Sequence, residues 1–286
     1  MNDKDWVILK TISEEKNITK AAERLYISQP ALTYRLKSLE KEFGVKILFR
    51  TPKGVNLTPQ GEHLLAYSEE MLLQLIKTKE RLQNSAHGIC GTLRLGSSSV
   101  FAHYELPRIL KGFLELYPEV EISLQTGLSR RVNRMLQKED LAVAILRGDF
   151  FWSEEKFLLR EEPICLVSRK PIEIENLPDH PRINYGTDSS LQAMAEEWWQ
   201  QTFFRPSFVT MQVDTMDTCR QMVLHNLGWA ILPTIGLQQQ DGLYKKELYW
   251  KSGEPLVRRT WVMCRTASLD LSTVRAFVDY LKEHYR

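Results

Sequence analysis

The chain has 286 residues, 43% of them hydrophobic and 26% charged, a composition typical of a globular protein with two or three domains. No apolar run approaches the ~18 to 20 residues of a membrane-spanning helix, and the polar start MNDKDWVILK lacks the apolar core of a signal peptide. We therefore expect a cytoplasmic protein without a membrane partner. The net charge of +2 is unevenly distributed: residues 16–58 hold nine basic and three acidic residues, so the remainder is net negative. This asymmetry favours a polyanionic partner for the N-terminal end only.

A basic segment near the N-terminus keeps a regular spacing of apolar residues. Its apolar positions are separated by four, three and four residues, which predicts one face of a helix: Leu32, Leu36, Leu39 and Phe43. The opposite face is basic and polar. Ser28 is a suitable N-cap for this helix, and Gly44 is a natural end.

Two further helices are predicted before this segment and a hairpin after it. ITKAAERLY predicts a helix that ends just before Ser28, and residues 6–12 repeat apolar positions at helical spacing. After Gly44, VKILFR reads as a strand, residues 52–54 as a turn and VNL as a returning strand. This order predicts a winged helix-turn-helix, whose recognition helix fits the major groove of DNA. The alternative is an ordinary amphipathic helix whose charges only face water.

The stretch AAERLYISQPALTYRLKSLEKEFGVKILFR, followed by LTPQG, resembles the N-terminal signature of the LysR-type transcriptional regulators along almost its whole length. The resemblance implies base contacts from the first turns of the recognition helix, at Gln29, Pro30, Thr33 and Tyr34. It implies contacts to the DNA backbone or minor groove from basic residues of the helix and wing, at Arg35, Lys37, Arg50 and Lys53. Many members have arginine where this chain has Tyr34, a departure that bears on the guanine contact an arginine can make.

A long helix is predicted over residues 59–87, which contain no glycine after Gly61 and no proline after Pro59. Its separations of four and three describe a heptad seam: Leu64, Ser68, Met71, Leu75, Thr78 and Leu82. The small DNA-binding domain cannot cover so long a helix, so we expect a second copy to pack on it. The LysR resemblance likewise implies a dimerisation linker, with Leu64, Met71, Leu75 and Leu82 in the interface and roughly palindromic DNA sites. The alternative is a helix buried within one chain.

Beyond the glycines at 88 and 91, predicted strands and helices alternate to the end of the chain, which indicates an α/β domain. Apolar runs such as LAVAIL suit parallel strands covered on both faces. LysR-like chains fold this region as two subdomains resembling periplasmic solute-binding proteins. We therefore expect a DNA-binding domain at 1–58, a linker helix at 59–87 and an effector-binding domain at 88–286. Within the last, subdomain I comprises 88–161 and 266–286, and subdomain II comprises 162–265.

Polar residues end several of these strands, where open α/β sheets bind ligands. The effector-binding candidates are Ser97, Ser98, Ser99, Thr126, Gly127 and Arg147 from the first subdomain, and Tyr185 and Thr187 from the second. Hydroxyls, backbone N–H groups and a guanidinium suit a small anion such as a carboxylate. In the alternative, the serines cap a helix and Arg147 pairs with a surface acid such as Asp149. The stretch RGDFFW resembles a Gram-positive subgroup that senses citrate, which points to a citrate-like ligand.

The sequence offers no support for catalysis or metal binding. It has no G-x-S-x-G motif, its six histidines are scattered, and the cysteines are far apart without C-x-x-C spacing: Cys90, Cys165, Cys219 and Cys264. We expect no catalytic residue, no metal and no cofactor. The alternative is a solute-binding or enzymatic α/β protein with an N-terminal nucleic-acid-binding module. Turnover of a bound metabolite, or failure to bind any DNA, would favour that alternative.

The sequence therefore predicts a homo-oligomeric transcriptional regulator controlled by a small metabolite. Its expected partners are double-stranded DNA with a roughly palindromic promoter site, a small-molecule effector and RNA polymerase. Further copies of the same chain are expected in a dimer or a tetramer.

Overall fold

A computed structural model describes residues 1–52, 54–237 and 239–285 of the chain. The chain divides into two compact units, residues 1–86 and residues 87–286. Within the described residues, no helix combines the length and the apolar character needed to cross a membrane.

The first unit contains short helices, a hairpin and one long helix. In chain order these are α1 (Asp3–Glu15), α2 (Ile18–Arg24), α3 (Gln29–Phe43), β1 (Leu48–Thr51), β2 (Gly54–Leu57) and α4 (Pro59–His87). Asn2, Asn17 and Ser28 cap the first three helices by accepting hydrogen bonds from backbone N–H groups. Gly44 ends α3 in the left-handed region, with φ of 67°. Because β1 pairs antiparallel with β2, the predicted winged helix-turn-helix is confirmed.

The core of this unit contains most of the predicted apolar stripe. Leu32, Leu36 and Leu39 are buried together with Leu9 and Ile12 of α1. Phe43 does not follow the prediction, because its side chain is 42% exposed. As the last residue of α3, it lies beyond the buried part of the stripe.

The second unit alternates strands and helices. In chain order it contains β3 (Gly91–Ser98), α5 (Ser99–Tyr104), α6 (Leu106–Leu116), β4 (Val120–Gly127), α7 (Ser129–Gln137), β5 (Val143–Arg147), β6 (Glu155–Ser168), β7 (Arg182–Tyr185), α8 (Ser189–Thr202), β8 (Val209–Val213), α9 (Met216–Leu224), β9 (Ala230–Pro233), β10 (Tyr244–Glu247), β11 (Val257–Cys264) and α10 (Ser272–His284). The α/β class predicted for this region is therefore confirmed.

The larger sheet of this unit is mixed. Its strand order is β10-β6-β11-β5-β3-β4, and β9 also pairs with β6. β3 runs parallel to β4 and β5, whereas β11 runs antiparallel to β5 and β6. The prediction that LAVAIL forms a strand with parallel neighbours is thus correct on one side of β5 only. β11 comes from far along the chain, and no single helical crossover constrains its direction.

A smaller sheet and the last helix complete the second unit. β7 and β8 pair in parallel, and a tryptophan-rich core formed by Trp198, Trp199 and Trp229 lies beside them. The last helix, α10, packs against α6, where the rings of Phe113 and Phe277 have centroids 5.0 Å apart. The end of the chain thus returns to the sheet that contains β3.

Candidate functional site

The predicted base-contacting residues lie at the start of α3. Gln29, Pro30 and Tyr34 are exposed, Tyr34 by 76%, and Thr33 is half-buried. The Gln29 amide Nε2 donates to the Thr33 hydroxyl at 3.1 Å, which ties the two polar side chains together on one face. The polar face at the start of α3 is thus open, and the major groove of DNA is wide enough to admit a helix.

Arg35 differs from the other basic residues predicted to bind DNA. Its Nε and Nη2 donate to the two carboxylate oxygens of Asp5, each at 2.6 Å. Asp5 is fully buried in α1 and also accepts a hydrogen bond from the Asn2 backbone N–H. The structure therefore favours an internal role for Arg35, orienting the recognition helix against α1, over the predicted contact to phosphate.

The electrostatics of Asp5 agree with this pairing. Burial alone raises the pKa of a carboxyl group, but the hydrogen bond from Arg35 and the one from Asn2 outweigh that effect and lower the pKa of Asp5. Asp5 is therefore ionised at neutral pH.

Two of the remaining predicted phosphate contacts are on the surface. Lys37 on α3 and Arg50 on β1 are exposed. Lys53 lies outside the described residues. Lys46, between α3 and β1, is bound to Glu40 at 2.8 Å.

The seam predicted for dimerisation divides into two parts along α4. Leu64 packs against the core of its own unit, and the buried Ser68 donates a hydrogen bond to the Leu64 carbonyl at 2.6 Å. Met71 and Leu75 are half-buried, and Leu82 is 73% exposed. Leu64 is thus already packed within the monomer, whereas the apolar side chain of Leu82 is exposed in the single chain.

The strand-end residues predicted to bind an effector come together in the second unit. The register pairs Ser97 with Thr126 and Ser98 with Gly127, and Ser97 also faces Ile145, two residues before Arg147. Ser98 accepts a hydrogen bond from the Phe101 N–H and so caps α5. The helix-capping alternative is therefore correct for Ser98. Ser99 and Thr126 are exposed.

Arg147 is neutralised by a carboxylate that sequence reasoning did not identify. Its Nη2 donates to Glu162 of β6, and both side chains are almost completely buried, with 4% and 1% exposure. The alternative partner Asp149 instead accepts from the Trp261 indole at 3.1 Å. Arg147 is therefore not the unpaired positive charge that we expected. β11 lies between β5 and β6 and pairs with both, which brings Arg147 and Glu162 together.

Two further arginines, which sequence reasoning also missed, contact the start of α8. Arg258 of β11 donates to the Arg147 carbonyl at 2.9 Å, to the Ser190 hydroxyl at 2.8 Å and to Asp188 at 3.3 Å. Burial, followed by the nearby charge of Arg147, lowers the pKa of Arg258. The only sequence signal for Arg258 is a charged residue within the apolar strand LVRRTWVMC.

Arg130 completes the group from α7. Its Nη2 donates to the Ser189 hydroxyl at 2.6 Å, which links the start of α7 to the start of α8. The strand-end cluster, defined as Arg130, Arg147, Glu162, Asp188 and Arg258, therefore contains three guanidinium groups and two carboxylates. Its net charge is positive.

Tyr185 and Thr187 lie close to this cluster and line a cavity. Ser189, which accepts a hydrogen bond from Arg130, lines the same cavity. Burial raises the pKa of Tyr185 to about 12, and Arg147 is near enough to oppose that shift. The cavity has a volume of about 520 Å³ and also includes Arg182, Gln192 and residues of β8 and β9 in its lining. None of the six candidates that the sequence analysis assigned to subdomain I is part of that lining. The described residues contain no group of three or more His, Cys, Asp or Glu side chains suited to a metal ion.

Two family models match almost the whole chain. Residues 4–62 match the bacterial regulatory helix-turn-helix protein, lysR family, and residues 86–286 match the LysR substrate binding domain. The chain belongs to the LysR family. It is a DNA-binding transcriptional regulator with an effector-binding domain, and not an enzyme.

Relatives of this LysR chain are named as regulators. It is 44% identical over 282 residues to the uncharacterized HTH-type transcriptional regulator YraN of Bacillus subtilis (strain 168), covering 99% of this chain and 98% of that protein. It is 27% identical to the HTH-type transcriptional regulator CysL of the same organism, covering 79% of each chain.

Solved structures share the fold of this LysR chain. A full-length OxyR variant from Pseudomonas aeruginosa superposes with a TM-score of 0.66 at 21% identity, covering 99% of this chain and 95% of that one. Full-length CbnR, solved in complex with its target DNA, gives a TM-score of 0.58 at 18% identity and covers 99% of both chains. At these identities the likeness concerns the fold.

Proposed function

We propose that this LysR-family regulator is controlled by a small anionic metabolite, a carboxylate of the citrate type, bound at the strand-end cluster between two subdomains of its effector-binding domain. The observation that carries this proposal is the charge imbalance of the cluster. Two of its arginines are paired with its two carboxylates, whereas Arg130 donates to the neutral hydroxyl of Ser189. An anion restores neutrality, and guanidinium groups bind carboxylates through two parallel hydrogen bonds.

The contacts of Arg130 and Arg258 suggest how binding changes the domain. Both arginines donate to serine hydroxyls at the start of α8, namely Ser189 and Ser190. A carboxylate is a stronger acceptor than a hydroxyl, because the hydrogen bond is then charged on both sides. A ligand that accepts from Arg130 and from the backbone N–H groups near Ser99 and Gly127 would change the distance between α7 and α8. A ligand that makes stronger contacts in one conformation than in another shifts the equilibrium toward the first.

For DNA recognition we propose base contacts from Gln29, Pro30, Thr33 and Tyr34. Phosphate contacts are proposed from Lys37, Arg50 and Lys53. Exposed polar side chains at the start of a recognition helix match the width and hydrogen-bonding edges of the major groove. The domain boundaries at residues 58 and 87 and the two subdomains remain part of this proposal.

Self-association is proposed through the exposed part of α4. Met71, Leu75 and Leu82 are apolar positions of one seam that the single chain leaves half-buried or exposed. A copy of the same helix would cover them, and a dimer of this kind reads a roughly palindromic site. We also propose that the protein is cytoplasmic and has RNA polymerase as a partner at the promoter, since both are expected of a DNA-binding regulator.

The test uses the full-length protein and titration calorimetry with citrate, tricarballylate and succinate. We expect Arg130→Gln to weaken citrate binding about tenfold, the loss expected for one charge-assisted hydrogen bond. Arg205→Gln is the matched control, because Arg205 is also exposed but is paired with Asp179 at 2.6 Å away from the cluster. Absence of binding by all three acids, or equal affinities of wild type and Arg130→Gln, would contradict the proposal.

A further inference from the structure

The second unit contains a buried arginine outside the strand-end cluster. Arg182, at the start of β7, is only 6% exposed. Unlike Arg147, it has no carboxylate within 4.0 Å among the described residues, and its Nε has no hydrogen-bond partner there. Its Nη1 donates to the neutral hydroxyl of Ser207 at 3.3 Å.

Two tryptophans hold the guanidinium of Arg182 in place. Its central carbon lies 5.7 Å from the ring centroid of Trp199 and 5.4 Å from that of Trp229. Both indole N–H groups are already bound to backbone carbonyls, so the rings are fixed. Cation–π attraction offsets part of the cost of burying the charge, but it leaves the Nε atom of the guanidinium without a hydrogen-bond partner among the described residues.

Arg182 lines the cavity of about 520 Å³ described above. The volume is within the range of small-molecule sites. The rest of the lining is neutral apart from Glu196, with the carboxamides of Asn184, Gln192 and Gln212 beside short apolar side chains. The cavity extends along α8, which runs from Ser189 to Thr202. Thr187 and Ser189 lie at the end of the cavity near the start of this helix, and Arg182 lies at the other end.

Glu196 limits the charge that the cavity accepts. It is an exposed residue of α8 that lines the cavity, and its negative charge acts on Arg182 without forming a close ion pair. A ligand with two or three carboxylates would place negative charge near Glu196. One buried cation with one acidic residue at the exposed side is therefore suited to a ligand with a single carboxylate.

We propose that this cavity is a second ligand site, in which the Arg182 guanidinium binds the carboxylate of a small monocarboxylate. The carboxamide side chains of Asn184, Gln192 and Gln212 bind the polar groups on the body of the ligand. This site goes beyond the proposed function, because it does not use the arginines of the strand-end cluster and takes a different charge class of ligand.

The test measures binding of butyrate and of its neutral isostere butyramide to the full-length protein by saturation-transfer NMR titration. We expect butyrate to bind and butyramide to bind at least tenfold more weakly, since the amide lacks the charge that Arg182 pairs with. Arg182→Gln should weaken butyrate binding tenfold or more. Glu196→Gln should strengthen it about two- to threefold by removing the repulsion. Arg130→Gln, the cluster variant, should leave butyrate binding unchanged.

The outcomes separate this site from the strand-end cluster. Absence of butyrate binding, equal binding of butyrate and butyramide, or unchanged binding by Arg182→Gln would overturn the second site. Loss of butyrate binding in Arg130→Gln alone would also overturn it and would assign the anion to the cluster. Loss of citrate binding in Arg130→Gln but not in Arg182→Gln concerns the proposed function only.

A second variant covers the case in which Arg182→Gln does not fold. Ala193 is exposed on α8 and lines the cavity, so Ala193→Trp fills the space while Arg182 stays intact. Loss of butyrate binding in this variant supports the site. Retention of binding overturns it.

Discussion

Each unit of the molecule contains an arginine bound to a buried carboxylate, but only one of the two pairs is closed to water. In the first unit, Arg35 is 37% exposed and Asp5 is 1% exposed by side chain. In the second, Arg147 and Glu162 are 4% and 1% exposed. The half-open pair orients a recognition helix whose outer face stays free for DNA. The closed pair is part of the framework of a cluster that keeps an excess of positive charge. Burial therefore distinguishes an arginine that supports a surface from one that supports a pocket.

The largest expected effect follows from breaking the closed pair. Glu162→Ala leaves Arg147 as an uncompensated buried charge, and we expect a loss of about 3 to 5 kcal/mol in the free energy of unfolding of the second unit. Urea unfolding followed by tryptophan fluorescence measures this loss, since six of the seven tryptophans lie in that unit.

The neighbouring residue is a matched control for this prediction. Glu161 also pairs with an arginine, Arg259 at 2.6 Å, but both side chains are more than 40% exposed. Glu161→Ala should change the unfolding free energy by less than about 1 kcal/mol. Equal losses in the two variants would mean that burial does not decide the strength of these pairs.

A smaller effect is expected for the half-open pair. Asp5→Asn removes the charge that Arg35 binds, and we expect a loss of about 1 to 2 kcal/mol at pH 7, because Arg35 can still be solvated. The pKa of Asp5 is lowered in the folded state. The stabilisation is therefore complete above the unfolded value of about 3.9 and is lost as pH falls through the folded pKa.

Hydrogen exchange of α1 and α3 between pH 7 and pH 3 measures this dependence in wild type and in Asp5→Asn. The difference between the two proteins should shrink below about pH 4. Glu42→Gln is the control, since Glu42 is exposed and binds the N-terminal amine at 2.5 Å. A difference that persists unchanged at pH 3 would show that the pair does not stabilise the unit through its charge.

The smallest expected effects are on DNA binding by the exposed face of α3. Tyr34→Ala should cost about 1 kcal/mol on the specific site and relax the sequence preference, whereas Lys37→Ala should weaken all sequences alike. Lys37→Ala should also reduce the slope of log affinity against log salt by about one. Mobility shifts on specific and random duplexes at several salt concentrations compare the two variants. Identical losses on both duplexes for Tyr34→Ala would remove it from the base-contacting set.

Short-range patterns in the sequence were sufficient for the first unit. The separations of four and three that bury Leu32, Leu36 and Leu39 repeat along one helix, and Ser28 and Gly44 define its ends. The same pattern was misleading at Phe43, because helical spacing specifies a face and not how far the neighbouring elements extend along it. It also missed the bond from Arg35 to Asp5, which joins residues thirty positions apart.

In the second unit, the sequence located strand ends but not their ionic partners. Ser97, Thr126 and Arg147 each end a strand, and parallel pairing brings those ends to one edge. The short helix α5 was not predicted, although Ser98 caps it as the alternative interpretation allowed. Arg258 contacts Arg147 from 111 residues away, and no local pattern distinguishes it from its half-buried neighbour Arg259.

The sequence by itself determined the family, the order of helices and strands, and which faces are apolar, because these properties depend on residues within one or two turns of each other. Only the tertiary structure decided which charges are neutralised. Arg35 is bound to Asp5, Arg147 is bound to Glu162, and Arg182 stays without a carboxylate among the described residues. The free energy of a buried charge depends on the few atoms within about 4 Å of it, and distant segments of the chain supply those atoms only after folding.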